Sequence, residues 1–267
     1  MGLRDEHPGS PDFRLTGFAP ANALVEDNFE LVTTATDELS VVAQHHSADG
    51  RNTYLIFYDT TAVYGHPGAP AYIAAHATRD RRRRVFDFEH ASHPLVPLAQ
   101  SWLTERGFPT DALVSLPAHG PRPADDTTSR LEGLLRANPG NGYQVLDHYT
   151  EHESRLGYGT RTTALVHDAH PRSAANPFRV FLEEVDPDFE TYTIREGAFS
   201  SIEAADIWIA AGNLPLPQTA TPSVGRRAGA ARAKTACPGP SSSPSQNANA
   251  LVRRTSTQSP AARRGGR

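Results

Sequence analysis

Alternating apolar and polar residues are concentrated between Leu39 and Pro109, and this segment gives the clearest structural prediction. Two runs, LSVVAQHHS and TYLIFYDT, are rich in β-branched and aromatic residues and flank Asp49-Gly50, a dipeptide typical of hairpin turns. Successive strand residues point to opposite sides, and both sides carry apolar groups here. We therefore expect a central β-hairpin over Leu39 to Asp59 that is covered on both faces.

A second hairpin is predicted from the runs AYIAAHAT and RVFDFEH. In the second run, two phenylalanines point one way and two acidic residues point the other. A helix is expected next, because Leu95, Leu98 and Trp102 follow near helical spacing and Gly107 ends the pattern. Several alanines in the first run leave room for Trp102 to lie close to the sheet.

The remaining pattern predicts further elements on either side of this segment. They are a helix over Pro20 to Leu31, a short strand over Asp111 to Leu116, a helix beginning after Asp125 or Thr127, strands over Tyr143 to Tyr149 and Arg161 to His167, a hairpin over Phe178 to Arg195, and a helix containing Trp208.

An internal repeat is indicated when the chain is shifted by 106 positions. The shift places Trp102 on Trp208 and Pro109 on Pro215, and six further apolar positions coincide, from Tyr72 on Phe178 to Phe108 on Leu214. Chance is the alternative, since any two strand-strand-helix units share a period. A duplication of 71–109 as 177–215 predicts an α+β fold, in which an antiparallel sheet built from β-hairpins has helices packed on one face. The two halves would then be related by a pseudo-two-fold axis.

Charge divides the chain into a body and a tail. All 30 acidic residues lie at or before Asp206, whereas nine of the 26 basic residues lie after Gln218. We therefore predict a flexible N-terminus over 1–12, a single globular domain over 13–217, and a disordered basic tail over 218–267 that is rich in Ala, Arg, Pro and Ser. The acidic body argues against a nucleic-acid partner there.

The tail has three interpretations. It could be a basic arm for an acidic partner or nucleic acid, a solvated extension, or the product of a misassigned reading frame in GC-rich DNA. The bias for arginine, with Lys234 the single lysine, indicates such DNA and a bacterial type of protein. The lone cysteine, Cys237, allows no intrachain disulfide.

Composition also predicts where the protein acts. No apolar run approaches the roughly 20 residues that a membrane helix needs. The first residues, MGLRDEHPGSPDF, lack the basic and then apolar pattern of a secretory signal. We therefore expect a cytoplasmic protein without a membrane partner.

The densest group of chemically active side chains is Asp87, Glu89, His90 and His93. Asp87 and Glu89 lie two apart on a strand and face the same way, so they could act as a general acid-base pair, as in glycoside hydrolases. His90-x-x-His93 with Glu89 could instead bind a metal, although no recognised metal motif is present. A solvated strand face followed by a helix start explains the same residues.

Three other groups are weaker candidates. Glu183 is a second acid that could join Asp87 and Glu89, although a charged hairpin that protects a sheet edge explains it equally well. The string His167-Asp168-x-His170 resembles a set of metal ligands or a turn. The arginines of Arg79 to Arg84 could contact phosphate or an acidic partner, or simply be solvated.

No motif identifies an activity: the sequence contains no nucleophile elbow, phosphate loop, dinucleotide fingerprint or zinc-ligand array. We expect no cofactor and leave the metal open. The first hypothesis is a non-catalytic binding or regulatory module with a small-molecule or protein ligand, held in a groove between the two halves. The alternative is a hydrolase, of the glycoside hydrolase kind, with catalytic residues among Asp87, Glu89, His90 and Glu183.

Overall fold

A computed structural model describes residues 11–62, 70–114, 121–138, 142–151 and 159–211. Five α-helices lie within these ranges: α1 (Ala23–Thr34), α2 (Val96–Glu105), α3 (Thr110–Val114), α4 (Asp126–Ala137) and α5 (Ile202–Ala211). Ten strands accompany them: β1 (Ala19–Pro20), β2 (Leu39–His46), β3 (Asn52–Asp59), β4 (Tyr72–Asp80), β5 (Val85–His93), β6 (Arg122–Pro123), β7 (Tyr143–Glu151), β8 (Thr160–Asp168), β9 (Phe178–Val185) and β10 (Thr191–Phe199). The predicted tail lies outside the described residues.

The strands form two five-stranded sheets, in the orders β1-β5-β4-β3-β2 and β6-β10-β9-β8-β7. Four long strands of each sheet are paired antiparallel as successive hairpins. The short strand at one edge is parallel to its neighbour in both sheets. The α+β class and the hairpin-built antiparallel sheets predicted from the sequence are therefore confirmed.

The two halves of the chain repeat the same order of elements and much of the same detail. A helix with a side-chain cap precedes the four long strands of each sheet: Asn22 caps α1 and Asp125 caps α4. The first long strand of each sheet carries an irregularity in its pairing, after Val41 in β2 and after Val145 in β7. A tryptophan helix, α2 or α5, follows each last strand. The two similar halves expected from the repeat are thus present.

The arrangement of sheets and helices differs from the expectation of one sheet with helices on one face. In the first sheet, Val25 of α1 belongs to the cluster of Leu55 and Phe57, whereas Leu103 of α2 packs with Ile56 on the other side. The second sheet is covered in the same way, by α4 on one face and α5 on the other. The physical reason is that successive residues of β3 point to opposite faces and are apolar on both, so each face of the sheet must be covered by a helix.

The α2 helix also contacts the second half. Leu95 and Leu98 belong to the same buried cluster as Leu131 of α4 and Phe181 of β9. The Nε of Arg136 on α4 donates a hydrogen bond of 2.6 Å to Oε1 of Gln100 on α2. Helices α2 and α4 therefore join the two halves, and Trp102 packs against Ala74 on the other side of α2.

The strand predicted over Asp111 to Leu116 is wrong in its described part, which forms α3 instead. The amide of Ala112 donates to the carbonyl of Pro109, which closes the first turn of this helix. A proline at the start of a helix is favourable because its fixed φ angle already fits. Five residues are too few to show a helical period, so the apolar residues of this segment predicted a strand instead of a helix.

Capping of α1 can be tested directly. Oδ1 of Asn22 accepts a hydrogen bond of 3.1 Å from the amide of Val25, so Asn22→Ala should lower the free energy of unfolding by about 1 kcal/mol. Asn22→Asp keeps an acceptor and should retain the stability. Leu24→Ala is the matched control, because Leu24 lies in the same turn but is 68% exposed; we expect a change within about 0.5 kcal/mol. Urea unfolding measures all three, and equal stability of Asn22→Ala and the wild type would contradict the cap.

Candidate functional site

Asp87 and Glu89 share one face of β5, as the alternation predicts, and both side chains are exposed. Their partners across the strand pair are Thr78 and His76 of β4. Oε2 of Glu89 accepts a hydrogen bond of 3.0 Å from Nε of Arg106. The two carboxylates therefore lie toward solvent, and Glu89 is held by an ion pair at the end of α2.

His90 points to the opposite face of β5. Its ring lies 6.1 Å from that of Phe88, which is buried in the cluster beneath α1. Burial lowers the pKa of His90. Strand alternation thus separates His90 from Asp87 and Glu89, and it separates His90 from His93 as well. Among the described residues there is no group of three His, Cys, Asp or Glu side chains placed to hold a metal ion.

Glu183 lies in the second half, on β9, and is only 5% exposed. Burial, and secondarily the nearby Glu132, raises the pKa of Glu183 to about 8. Burial followed by the charge of Glu183 raises the pKa of Tyr72 in the first half well above its ordinary value. The hydroxyl of Tyr192 donates to Oε1 of Glu132. Glu183 therefore belongs to a buried cluster of acids and tyrosines, which we call the acid-tyrosine cluster (Tyr72, Glu132, Glu183, Tyr192).

The string His167-Asp168-x-His170 ends β8 and leads into a turn over Pro171–Ser173. Oδ1 of Asp168 accepts from the amide and Nδ1 of His170, at 3.0 and 2.5 Å, and Oδ2 accepts from Oγ of Ser173 at 2.5 Å. In the first half, Oδ1 of Asp59 accepts from the amide and hydroxyl of Thr61. Asp59 and Asp168 occupy the same position in the two halves, and each fixes the turn that follows its strand, β3 or β8. This is a structural role.

A cavity of about 480 Å³ lies between the two halves. Only five of its twelve lining residues are apolar, so it is more polar than most small-molecule sites. The first half lines it with Ser92, His93, Pro94, Leu98, Ser101, Trp102 and Glu105, and the second half with Asn138, Tyr143, Val145, Leu146 and His148.

The irregularity in β7 places His148 in this cavity. Val145 pairs with Val166 and His148 pairs with Ala164, so Leu146 is the extra residue of a β-bulge. Without it, two residues three apart would point to opposite faces. With it, Val145 and His148 both face α4 and the first half, because their partners Val166 and Ala164 belong to that buried cluster.

His93 and His148 each present a buried ring nitrogen to which no described residue offers a hydrogen bond: Nε2 of His93 and Nδ1 of His148. Burial, and secondarily the charge of Arg106, lowers the pKa of His93 to about 4. His93 is therefore neutral at pH 7. A buried polar atom without a partner costs about 1 to 3 kcal/mol. Nδ1 of His90 and Nε of Arg179, both outside the cavity lining, likewise have no hydrogen-bond partner among the described residues.

Trp102 forms a fixed wall of the cavity. The guanidinium carbon of Arg106 lies 3.5 Å from the centre of its ring, and Arg106 is itself held by Glu89. The ring of His93 lies 6.2 Å from that of Trp102. Glu89, one of the predicted catalytic residues, therefore acts on this cavity only through Arg106.

Neither His148 nor Trp102 was among the predicted catalytic residues. The sequence predicted only that Trp102 packs on the sheet. Asp147-His148 formed an acid-histidine pair at a strand end, and the bulge that places His148 in the cavity has no signature in the sequence. His93 was among the predicted side chains, but its partners lie in the other half. The nearest available signal was the duplication, which predicts a groove between halves.

Comparisons with protein-family models, with curated proteins and with solved structures find no match for this chain. The geometry of the cavity is thus the main guide to function. Within the described residues, no helix is both long and apolar enough to cross a membrane.

The raised pKa of Glu183 predicts a pH dependence of stability. The folded state keeps the proton up to about pH 8, whereas an ordinary glutamate loses it near 4.5. Stability should therefore fall as the pH rises through this window, by at most about 1.4 kcal/mol per pH unit. Glu183→Gln should remove this fall and should exceed the wild type most clearly at pH 8.

Chemical denaturation from pH 4 to 9 measures this difference. Glu184→Gln is the matched control, because Glu184 is the next residue but is partly exposed beside Arg161. It should leave the wild-type slope in place. Parallel curves for Glu183→Gln and the wild type would show that the carboxyl group does not titrate as its burial predicts.

Proposed function

We propose that this protein is a non-catalytic binding module whose ligand is a small molecule held in the cavity between the two halves. The observation that carries the proposal is that a histidine from each half, His93 and His148, lines that cavity, and that each has a ring nitrogen without a hydrogen-bond partner among the described residues. A ligand that pairs with both would recover the lost hydrogen bonds and hold the halves together.

The duplication supports a role for His93 beyond packing. His93 ends β5 opposite Tyr72, and Phe199 ends β10 opposite Phe178, so the two residues are equivalent. Each ring lies 6.2 Å from the tryptophan of the following helix. A phenylalanine fills this place in the second half without leaving a polar atom unpaired. The histidine therefore adds a hydrogen-bonding group at a position where the fold accepts a purely apolar ring.

The lining indicates the class of ligand. The volume falls within the roughly 300 to 1,000 Å³ usual for small-molecule sites. Leu98, Trp102 and Val145 favour an apolar or planar body, while Ser92 and the two histidines offer hydrogen bonds. Neutral His93 and the nearby Glu105 give no attraction for an anion. We therefore infer an uncharged or cationic ligand with a planar part and a few hydrogen-bonding groups.

Hydrolysis by paired carboxylates stays the second prediction. The high pKa of Glu183 suits a general acid, and Asp87 and Glu89 share a face. None of these three, nor His90, is among the described residues that line the cavity. The cytoplasmic location likewise stays a prediction.

A thermal-shift screen of the full chain tests the proposed function, with nucleosides, aromatic amines and sugars as probes. A ligand should raise the melting temperature of the wild type. His93→Phe copies Phe199, so it should keep or raise the stability of the free protein while weakening the ligand about tenfold, the value of one buried hydrogen bond. Isothermal titration calorimetry measures the affinity.

His167→Phe is the matched control, because His167 lies on β8 outside the cavity lining. It should bind the ligand like the wild type. A ligand that binds equally well to His93→Phe would contradict the proposal. A ligand whose effect disappears in Asp87→Asn/Glu89→Gln, but not in His93→Phe, would favour the hydrolase.

A further inference from the structure

Arginines gather at the end of the first sheet opposite the cavity. The turn between β4 and β5 contains Arg81 to Arg84, all exposed. The turn between β2 and β3 contributes Arg51, and the segment before α1 contributes Arg14. We call this group the basic end (Arg14, Arg51, Arg79, Arg81, Arg82, Arg83, Arg84). His93 ends the same strand that follows Arg84, so the basic end lies roughly 26 Å from the cavity along β5.

Buried Arg79 ties the three segments together. It is only 4% exposed. Its Nε donates to the carbonyl of Gly50 at 2.9 Å, and Nη1 donates to the carbonyl of Phe13 at 2.7 Å and to Oγ1 of Thr53 at 2.8 Å. Its Nη2 has no hydrogen-bond partner among the described residues. The basic end is thus a built surface, in which a buried cation keeps its charge without a carboxylate bonded to it.

Three of the six exposed arginines have a partner. Nε of Arg84 donates a hydrogen bond of 3.0 Å to the carbonyl of Gly17, and its guanidinium group lies over the ring of Phe18. Asp12 and Asp49 form ion pairs with Arg14 and Arg51. Asp80 accepts the backbone amides of Arg82 and Arg83, and so it shapes the turn. Within the described part of the chain, the guanidinium groups of Arg82 and Arg83 form no hydrogen bond or ion pair, so they are available to an outside partner.

The charge of the basic end is opposite to that of its surroundings. The basic end contains seven arginines, and three aspartates (Asp12, Asp49 and Asp80) lie beside them. The rest of the chain up to Ala211 has 27 acidic residues and 10 arginines. The equivalent turn of the second half, between β9 and β10, contains Asp188 and Glu190 and no arginine. The repeated fold therefore does not require arginines in this turn.

We propose that the basic end binds a short acidic segment of a partner protein, through the guanidinium groups of Arg82 and Arg83. Planar guanidinium groups bind carboxylates through two parallel hydrogen bonds, and a compact segment can reach them without crossing the acidic remainder of the body. A nucleic acid fits less well. Its backbone would extend over that acidic surface.

The test is fluorescence anisotropy of a labelled octaglutamate peptide with the full chain at low salt. Arg82→Glu/Arg83→Glu should weaken binding about tenfold or more, since two attractive charge pairs become repulsive. Arg253→Glu/Arg254→Glu is the matched control: it makes the same change of charge in an adjacent pair of tail arginines. We expect the control to change the affinity by less than about twofold.

Both variants should have the same melting temperature as the wild type, because the side chains of Arg82 and Arg83 form no hydrogen bond or ion pair with the described residues. Arg82→Lys/Arg83→Lys keeps the charge and should weaken binding less than the glutamate pair. Equal weakening by the tail variant, or an undiminished affinity of Arg82→Glu/Arg83→Glu, would overturn the proposal. So would tighter binding of an oligothymidylate of equal charge through the same two arginines, or a self-association in sedimentation that Arg82→Glu/Arg83→Glu abolishes.

Discussion

The structure depends on the burial of both faces of each sheet. Successive residues of the central strands point to opposite faces, and the residues on both faces are apolar. Neither sheet is therefore stable with a single covering layer. One helix before and one helix after the strands supply the two layers in each half. Helix α2 follows the strands of the first half and packs beside α4, which precedes the long strands of the second half. This pair of helices therefore helps to cover both sheets. The join between the halves is therefore part of the core.

The same join contains the polar groups of greatest interest. The acid-tyrosine cluster places a buried carboxyl beside tyrosines from both halves, and neutralisation of Glu183 avoids the cost of a buried charge. The cavity lies in this layer too, with its two unpartnered ring nitrogens. Buried polar groups at a join between similar halves cost stability unless they are hydrogen-bonded.

The duplication provides an internal reference for these conclusions. Where the halves agree, as at the caps Asn22 and Asp125 and at the turn residues Asp59 and Asp168, the residues serve the fold. Where they differ, the fold does not demand the residue. His93 stands in the place of Phe199, and the arginines of the basic end stand where the second half has acids. These differences mark the two surfaces for which we propose ligands.

The sequence by itself determined the local elements and the repeat. Period-two alternation predicted the hairpins, with the Asp49-Gly50 turn marking the first of them, and helical spacing around Trp102 and Trp208 predicted the helices that follow. These features depend on neighbours within a few residues, so a single sequence contains them. The exposure of Asp87 and Glu89 on one face followed from the same alternation. The separation of His90 from them also follows from alternation, although the predicted cluster grouped the residues by proximity in sequence.

Only the tertiary structure decided how these pieces meet. The division into two sheets, the placement of helices on both faces and the burial of Glu183 depend on contacts between residues far apart in the chain. The bulge at Leu146 places His148 in the lining of the cavity that His93 also lines, more than fifty residues away in sequence, and no local pattern predicts it. The cavity exists because α2 packs against both halves at once, and this depends on the summed apolar burial of the whole domain.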